Sequence, residues 1–266
     1  MLLAELHHLF RRRRIQALLV VLALVPIAIV VALKLSGGPG RGEGPTFLNQ
    51  VTNNGVFAAL AALVITLPVF LPLAVSIVAG DSIAGETGLG TMRYLLIRPA
   101  GRTRLLAVKA ATIVAFCLSA TLVVAAAGLV VGSILFPVGR VTTLSGDTLP
   151  VWSGIGRIAV AAALVAASLL GLAAISLFAS TVTDVAIGAM AATLGILILS
   201  GILDAIPQLS AIHPWLFTHQ WLSFGDLMRT HVVWTNISKN LLLQLGYVIV
   251  FTTAAWARFT SRDVLA

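Results

Sequence analysis

A short stretch at residues 85–109, GETGLGTMRYLLIRPAGRTRLLAVK, combines residue types that bind phosphate or a charged partner. Its glycines are spaced loosely like those of a phosphate-binding loop, and basic side chains cluster around them. A nucleotide-binding P-loop requires Gly-Lys followed by Ser or Thr, so that the lysine reaches the phosphates. Here the lysines follow Leu33, Val108 and Ser238. We therefore expect that the chain does not bind ATP through such a loop.

Other side chains capable of chemistry do not form a recognisable site. His213, His219 and His231 could ligate a metal, but spacings of six and twelve residues do not place them on one helical face. We therefore expect no metal site. Neither a Ser/His/Asp set nor a carboxylate pair stands where a hydrolase needs it, which predicts that the chain is not an enzyme and holds no cofactor itself. The single cysteine, Cys117, lies in an apolar run and is expected to pack there.

Two acidic residues border apolar runs and raise a different possibility. Asp184 and Asp204 flank the run at 185–203, and intramembrane carboxylates relay protons in secondary transporters. Their position at the ends of the run favours solvation at the membrane surface. A proton-coupled secondary transporter stays an alternative, and it would require one of these carboxylates to be buried.

The composition requires lipid as the solvent. The chain has 266 residues, of which 59% are hydrophobic and 10% charged, and its mean hydropathy is +1.05. A soluble domain of this length needs a more highly charged surface. The net charge of +8 would indicate nucleic acid in a soluble protein. In a membrane protein the same surplus reflects Lys and Arg retained on the cytoplasmic side, so we expect no nucleic-acid partner.

Uncharged stretches predict six transmembrane helices and therefore an all-α, polytopic membrane protein with a single transmembrane domain over residues 1–266. The predicted spans are about 15–35, 56–80, 106–136, 157–182, 185–204 and 239–258. Pro68 and Pro72 are expected to bend the second span. Gly128 and Gly132 form a small-xxx-small pair that would permit close helix packing in the third span.

Basic residues predict the orientation. Residues 1–14, MLLAELHHLFRRRR, have apolar side chains at helical spacing, which predicts an amphipathic helix along the inner membrane surface. Eleven of the seventeen Lys and Arg residues lie at the N-terminus, in the 81–109 region and at the C-terminus. Six crossings place these three regions on one side, which is therefore cytoplasmic. The aromatic segment 205–234 is then expected to be re-entrant or interfacial on the outer side.

The loop at 81–105 is expected to contain a short transverse helix. Residues 91–97 can form this helix, and Pro99 would end it. Thr103 could then cap the third span. Asp81 and Glu86 precede the basic residues, so acidic and basic groups would both face the cytoplasm. The basic groups would attract anionic membrane lipids, but the mixture of charges is suited to docking a soluble partner.

This loop resembles the cytoplasmic loop of type-2 ATP-binding-cassette (ABC) exporter permeases. In that family a glutamate is followed by Gly-Thr, a Leu-rich helix, Arg-Pro, and a further Arg and Lys. The matching residues here are Glu86, Gly90, Thr91, Leu95, Leu96, Arg98, Pro99, Arg102 and Lys109. A less specific likeness extends over the whole chain, to the amphipathic N-terminus, the six spans, the aromatic outer segment and the closing residues 259–263.

The resemblance implies the permease subunit of an exporter in the bacterial cytoplasmic membrane, with both termini cytoplasmic. A separate ABC ATPase subunit would bind ATP and Mg²⁺ and receive the loop as a coupling helix. A second permease subunit, identical or different, would complete a pore lined by the second and fifth spans. The residues expected to couple to the ATPase are Asp81, Glu86, Gly90, Thr91, Arg93, Leu95, Arg98, Pro99 and Arg102. A non-transporting membrane scaffold is the other alternative, and the substrate stays open.

Overall fold

The computed structural model describes residues 2–35, 51–88, 101–142, 147–229 and 231–261, and helices dominate these ranges. The helices are α1 (Leu2–Arg11), α2 (Arg13–Leu35), α3 (Phe57–Thr66), α4 (Phe70–Gly88), α5 (Arg102–Leu135), α6 (Val151–Ser168), α7 (Leu170–Val182), α8 (Ala186–Asp204) and α9 (Trp234–Ser261). Between α5 and α6, strands β1 (Val141–Thr142) and β2 (Thr148–Leu149) form a minimal antiparallel hairpin in which Val141 pairs with Leu149. Three 3₁₀ turns follow α8, at Pro207–Leu209, His213–Trp215 and Trp221–Met228.

The apolar helices are long enough to cross a membrane several times, which confirms the predicted all-α polytopic fold. In the described part of the chain, α2, α5, the α6–α7 pair, α8 and α9 each meet the length and hydropathy that a span requires. The α3–α4 pair makes a sixth span if its two helices are counted together. The fourth predicted span begins earlier than expected, at Val151, and consists of two helices that meet at Leu169.

The second span is broken, and α3 and α4 are bent by 58° relative to each other. The break contains Pro68, which lacks the N–H that a continuous helix would use there. Thr66, the last residue of α3, turns its hydroxyl back to donate to the Ala62 carbonyl at 2.7 Å. Pro72 lies in the first turn of α4, where backbone N–H groups have no partner within the helix. Of the two prolines expected to bend the span, Pro68 is therefore the one at the break.

Close contact between α3 and α5 depends on glycine. A Cβ added at Gly132 would lie 2.2 Å from the Gly55 carbonyl oxygen, and one added at Gly128 would lie 2.8 Å from the Ala58 carbonyl oxygen. These distances are shorter than any non-bonded contact allows, so both positions need glycine in this packing. The small-xxx-small pair therefore does what its spacing predicts, and the partner that it admits is α3.

The bundle has two ends, which differ in the elements that meet there. At one end, which we call the charged end, α1 meets the last turns of α4 and the first turns of α5, and α9 finishes beside them, with Trp256 Nε1 donating to Thr103 Oγ1 at 2.9 Å. The opposite end, which we call the hairpin end, holds the β1–β2 hairpin and residues 205–229 and 231–233. There Arg157 of α6 donates to the Leu227 carbonyl at 2.8 Å.

Candidate functional site

A buried lysine joins three helices at the charged end. Lys109, in the second turn of α5, is 7% exposed. Its Nζ lies 2.5 Å from Glu5 Oε1 of α1 and also donates to Glu86 Oε1 of α4. A buried ammonium group is tolerated only where opposite charge and hydrogen bonds replace its water. The two carboxylates meet that requirement, so α1, α4 and α5 are fastened together at one point.

A second ion pair lies beside the first. Arg12, in the short connection between α1 and α2, places Nη1 3.8 Å from Asp81 Oδ2 of α4. Gly85 makes room for this carboxylate, because a Cβ at that position would lie 2.3 Å from Asp81 Oδ1. Both predicted acidic coupling residues, Asp81 and Glu86, are therefore paired with cations of the same chain. The sequence interpretation had assigned their charges to a partner protein.

These ion pairs border a cavity of about 790 Å³ between α1, α2, α4 and α5. Its lining is strongly charged and of mixed sign: Glu5, Asp81 and Glu86 are present with Arg12, Arg13, Arg14 and Lys109. Apolar side chains, among them Ile77 and Met190, close the side that points into the bundle. The cavity therefore lies at the boundary between the apolar bundle and the charged end, and it can accommodate a polar or charged group.

The last turns of α4 are also fixed from the other side, by α7. Ser180 Oγ donates to the Gly80 carbonyl at 2.7 Å and accepts from the Ala84 amide at 2.9 Å. In an uninterrupted α-helix that carbonyl and that amide bond directly to each other. A hydroxyl from α7 thus bonds to both members of one backbone pair of α4. The last turns of α4 are therefore tied to α7 through their backbone.

Sequence reasoning missed the contact between α4 and α7, although a signal was present. Ser176 Oγ donates to the Ser76 carbonyl at 3.3 Å, one helical turn before the Ser180 contact. Each helix thus presents a small residue at i and i+4, Ser76 and Gly80 on one and Ser176 and Ser180 on the other. This spacing is typical of helices that approach closely in membranes.

Arg102, the first residue of α5, has an intramolecular partner in α9. Its Nη1 donates to the Thr260 carbonyl near the end of α9, at 2.9 Å. Gly101, rather than Thr103, occupies the N-cap position of α5, so the expected cap is wrong: Thr103 is already helical, and its hydroxyl accepts from Trp256. Arg102 thus connects the loop-bearing helix to the C-terminal span, away from the cavity of Asp81 and Glu86.

The remaining coupling residues lie outside the described residues. These are Gly90, Thr91, Arg93, Leu95, Arg98 and Pro99, together with the transverse helix predicted over 91–97. The structure describes the helices on both sides of this stretch, α4 up to Gly88 and α5 from Arg102. Asp81 and Glu86 are brought together in one cavity, and Arg102 is not.

At the hairpin end, two of the three histidines lie together, although their spacing does not place them on one helical face. His219 Nδ1 lies 2.5 Å from Asp204 Oδ1, and the His213 and His219 rings are 5.5 Å apart between centroids. One potential metal-ligand atom from each of Asp204, His213 and His219 lies within 4.8 Å of the others. The spacing argument assumed a single helical face, whereas turns after α8 bring these residues together. The carboxylate that the sequence motif lacked comes from Asp204.

The position of the acidic residues bears on the proton-transporter alternative. Asp184 is exposed in the connection between α7 and α8. Asp204 ends α8 with a side chain that is 29% exposed and paired with His219. That alternative requires a buried carboxylate within the bundle, and neither side chain is buried.

A family model described as a protein of unknown function, DUF2705, matches residues 27–265. A comparison with curated proteins finds no match.

Proposed function

We propose that this chain, which belongs to the DUF2705 family, is the membrane-spanning permease subunit of an ABC exporter, driven by a separate ATPase. The observation that carries the proposal is the pairing of Lys109 with Glu5 and Glu86, which we call the Lys109 cluster. The helices on both sides of residues 89–100 are held to one buried cation, through Glu86 on α4 and Lys109 itself on α5. A partner that binds this stretch would therefore move both helices as one body.

Transmission into the membrane is the step that such a permease has to perform. A soluble ATPase does not enter the bilayer, so its movement must pass through rigid elements that have two arrangements. The ion pairs fasten α1 and α5 to the end of α4, and Ser180 connects α4 to α7. A push on the loop would thus reach the N-terminal helix, the second span and the fourth span together.

The broken second span is the element best suited to respond. A cavity of about 550 Å³ lies beside the break between α3 and α4. Its lining is almost entirely apolar and comes from the break, from α8 and from the turns at the hairpin end: Leu67, Pro68, Val69, Leu73, Leu194, Leu197, Ile198, Gly201, Thr218, Trp221 and Leu222. The second and fifth spans are the ones that the family resemblance assigns to the pore. A change of the 58° bend would alter the shape of this cavity.

A second permease subunit would complete the pore. Helix α8 exposes several large apolar side chains, including Ile187, Ile198, Leu199 and Ile202. In a multi-pass membrane protein such a face contacts lipid or another apolar helix. Because α8 also lines the apolar cavity, a subunit that packs against it would enclose the cavity from the open side.

The test is co-purification from native membranes in detergent, with ATPase activity assayed in the eluate. We expect an ATPase to co-purify with the tagged chain, and we expect charge reversal by Arg98→Glu in the loop to remove it. Arg140→Glu is the matched control, since Arg140 is an exposed arginine at the hairpin end. Comparable elution profiles of the variants would show that all of them fold.

Two results would overturn the proposal. A well-folded wild-type chain that purifies without any ATPase would remove the ABC assignment and favour a scaffold without an ATP-driven cycle. An ATPase that is retained by Arg98→Glu and lost with Arg140→Glu would place the docking surface at the hairpin end, and the coupling role of the loop would fall.

A further inference from the structure

We propose that Asp204, His213 and His219 form a binding site for a divalent transition-metal ion of the Zn²⁺ class, which fastens the segment after α8 to the end of that helix. Asp204 is the last residue of α8, and His213 begins the second 3₁₀ turn. The three residues come from different local structures, so the site is a product of the fold and not of one motif.

The geometry is close to what a metal requires. One ligand atom from each residue lies within 4.8 Å of the others. With metal–nitrogen and metal–oxygen bonds of about 2.0–2.1 Å, tetrahedral ligand atoms lie about 3.3 Å apart. The ligand atoms of His219 and Asp204, now 2.5 Å apart, therefore need to separate slightly, and a pair at the 4.8 Å limit needs to close by about 1.5 Å. The side chains of His219 and Asp204 are 34% and 29% exposed, so they have room to make this adjustment.

The donor set selects the class of ion. Two imidazoles and one carboxylate suit Zn²⁺ and neighbouring transition metals, whereas Mg²⁺ and Ca²⁺ prefer oxygen ligands alone. Three protein ligands leave the fourth position of a tetrahedral ion for water. His219 Nδ1 and Asp204 Oδ1 share a hydrogen bond, which an ion between them would replace.

A backbone carbonyl orients one of the ligands. His213 Nε2 lies 3.1 Å from the Ile206 carbonyl oxygen. If Nε2 carries the proton and donates to this oxygen, Nδ1 keeps the lone pair that a metal needs. Histidine ligands usually have this arrangement, in which one ring nitrogen binds the metal and the other donates to a carbonyl or carboxylate.

The site would join elements that otherwise meet through few polar contacts. Ser200 of α8 is hydrogen-bonded to Thr218, the residue before His219, with 2.7 Å between hydroxyl oxygens. Tyr247 of α9 donates to the Trp215 carbonyl at 2.8 Å. A bound ion would therefore hold the end of α8 to a segment that α9 also holds, and it would stabilise this end of the bundle.

The test uses the full chain in detergent, freed of any histidine tag and stripped with a chelator. Equilibrium dialysis against Zn²⁺, followed by metal analysis, should give one ion per chain at saturation, and Zn²⁺ should raise the melting temperature. His213→Ala and His219→Ala should each weaken binding at least tenfold. His231→Ala is the matched control, because His231 is an exposed histidine in the same region and is outside the cluster. Mg²⁺ should not bind.

Melting temperatures measured without metal distinguish a loss of Zn²⁺ binding from a loss of folding. His219→Ala also loses its hydrogen bond to Asp204, so its melting temperature is expected to be somewhat lower than that of the wild type. Each variant, His213→Ala included, should still unfold cooperatively well above the temperature of the dialysis, so that a loss of Zn²⁺ binding cannot come from unfolding. A wild-type chain that takes up no Zn²⁺ would overturn the site. Uptake that persists at full affinity in the His213→Ala, His219→Ala double variant would overturn it as well, since the ion would then bind elsewhere.

Discussion

Among the residues that the structure describes, Lys109 is the one charged side chain that is buried. It is buried at the junction of three helices and neutralises carboxylates on two of them. Removing one member of a buried ion pair is far more destabilising than replacing both members by apolar residues. The remaining charge is then buried with neither water nor a partner. Here the remaining charges would be two carboxylates that face each other.

We predict that Lys109→Met lowers the melting temperature of the purified chain by several degrees. Loss of one partner from a fully buried pair costs about 3–5 kcal/mol. We expect a value near the lower limit, because Glu5 is 30% exposed and water screens part of its charge. Lys239→Met, at an exposed lysine near the start of α9, is the control and should leave the melting temperature unchanged.

The same cluster offers a rescue that separates charge from packing. Glu5→Gln and Glu86→Gln, added to Lys109→Met, remove both stranded carboxylates and should restore most of the lost stability. Equal melting temperatures for Lys109→Met and the wild type would contradict the role given to this lysine, and so would a triple variant as unstable as the single one.

A second residue-scale prediction concerns a polar network between apolar spans. Asn240 of α9 donates to Ser168 Oγ of α6 at 2.6 Å and accepts from Gln244 at 3.2 Å. Interhelical hydrogen bonds in membranes are worth about 0.6–2 kcal/mol. Asn240→Ala should therefore reduce thermal stability measurably, whereas Asn236→Ala, one turn earlier, should reduce it less, because Asn236 is exposed and its hydrogen bond to Asp226 at 3.1 Å is accessible to water. The reverse order in an unfolding assay would show that the network does not hold α9.

At the scale of the elements, helix contacts that depend on glycine give the sharpest expectations. Gly132→Ala forces a Cβ against the Gly55 carbonyl of the segment before α3. Overpacking of this kind costs about 1–3 kcal/mol. Gly156→Ala is the matched change in α6, where a Cβ meets nothing within 4 Å. This control should be neutral or stabilising by about 0.5–1 kcal/mol. Thermal unfolding of the two variants measures the difference, and equal stability would show that α3 is not packed this closely.

The elements also show how far sequence reasoning reaches. Uncharged length alone predicts the spans, because a charge within the bilayer is costly wherever the helix packs. It cannot predict that the second span consists of two helices bent by 58° relative to each other. Pro68 and Pro72 look alike in the sequence, and only the structure shows that α4 begins between them, at Phe70. Uncharged length cannot predict the Lys109 cluster either. Glu5 and Lys109 are 104 residues apart, and their pairing depends on how α1 lies across the bundle.

The same limit applies to both candidate sites. Asp81 and Glu86 can be predicted as site residues because charges mark the end of an apolar run. Their spacing does not reveal that Arg12 and Lys109 of the same chain are their partners. His213 and His219 were set aside because their spacing does not fit a helix. Irregular turns have no fixed period, so spacing carries no information there, and Asp204 could not be recognised as their companion.

For the whole molecule, the two ends of the bundle differ in charge. Among the described residues, eight Lys and Arg residues lie at the charged end and five at the hairpin end. Helices α1, α4, α5 and α9 are in contact at the charged end. An even number of crossings requires this arrangement, because it returns the chain to the side of the membrane on which it started. The positive-inside rule then predicts that the charged end, with both termini, faces the cytoplasm, where a soluble ATPase could reach residues 89–100.

Cysteine accessibility tests this orientation directly, because Cys117 is 0% exposed and should not react with a membrane-impermeant maleimide. His7→Cys and Ser261→Cys place thiols at the charged end, and Ser210→Cys places one at the hairpin end, all at exposed positions. In spheroplasts we expect only the Ser210→Cys variant to be labelled, with the other two reacting after lysis. Labelling of Ser210→Cys and Ser261→Cys from the same side would contradict six crossings. Labelling of His7→Cys and Ser261→Cys from outside, with Ser210→Cys protected, would show that the chain has the opposite orientation in the membrane. An inverted chain would hold its charged loop away from ATP, and the proposed coupling to a cytoplasmic ATPase would be impossible.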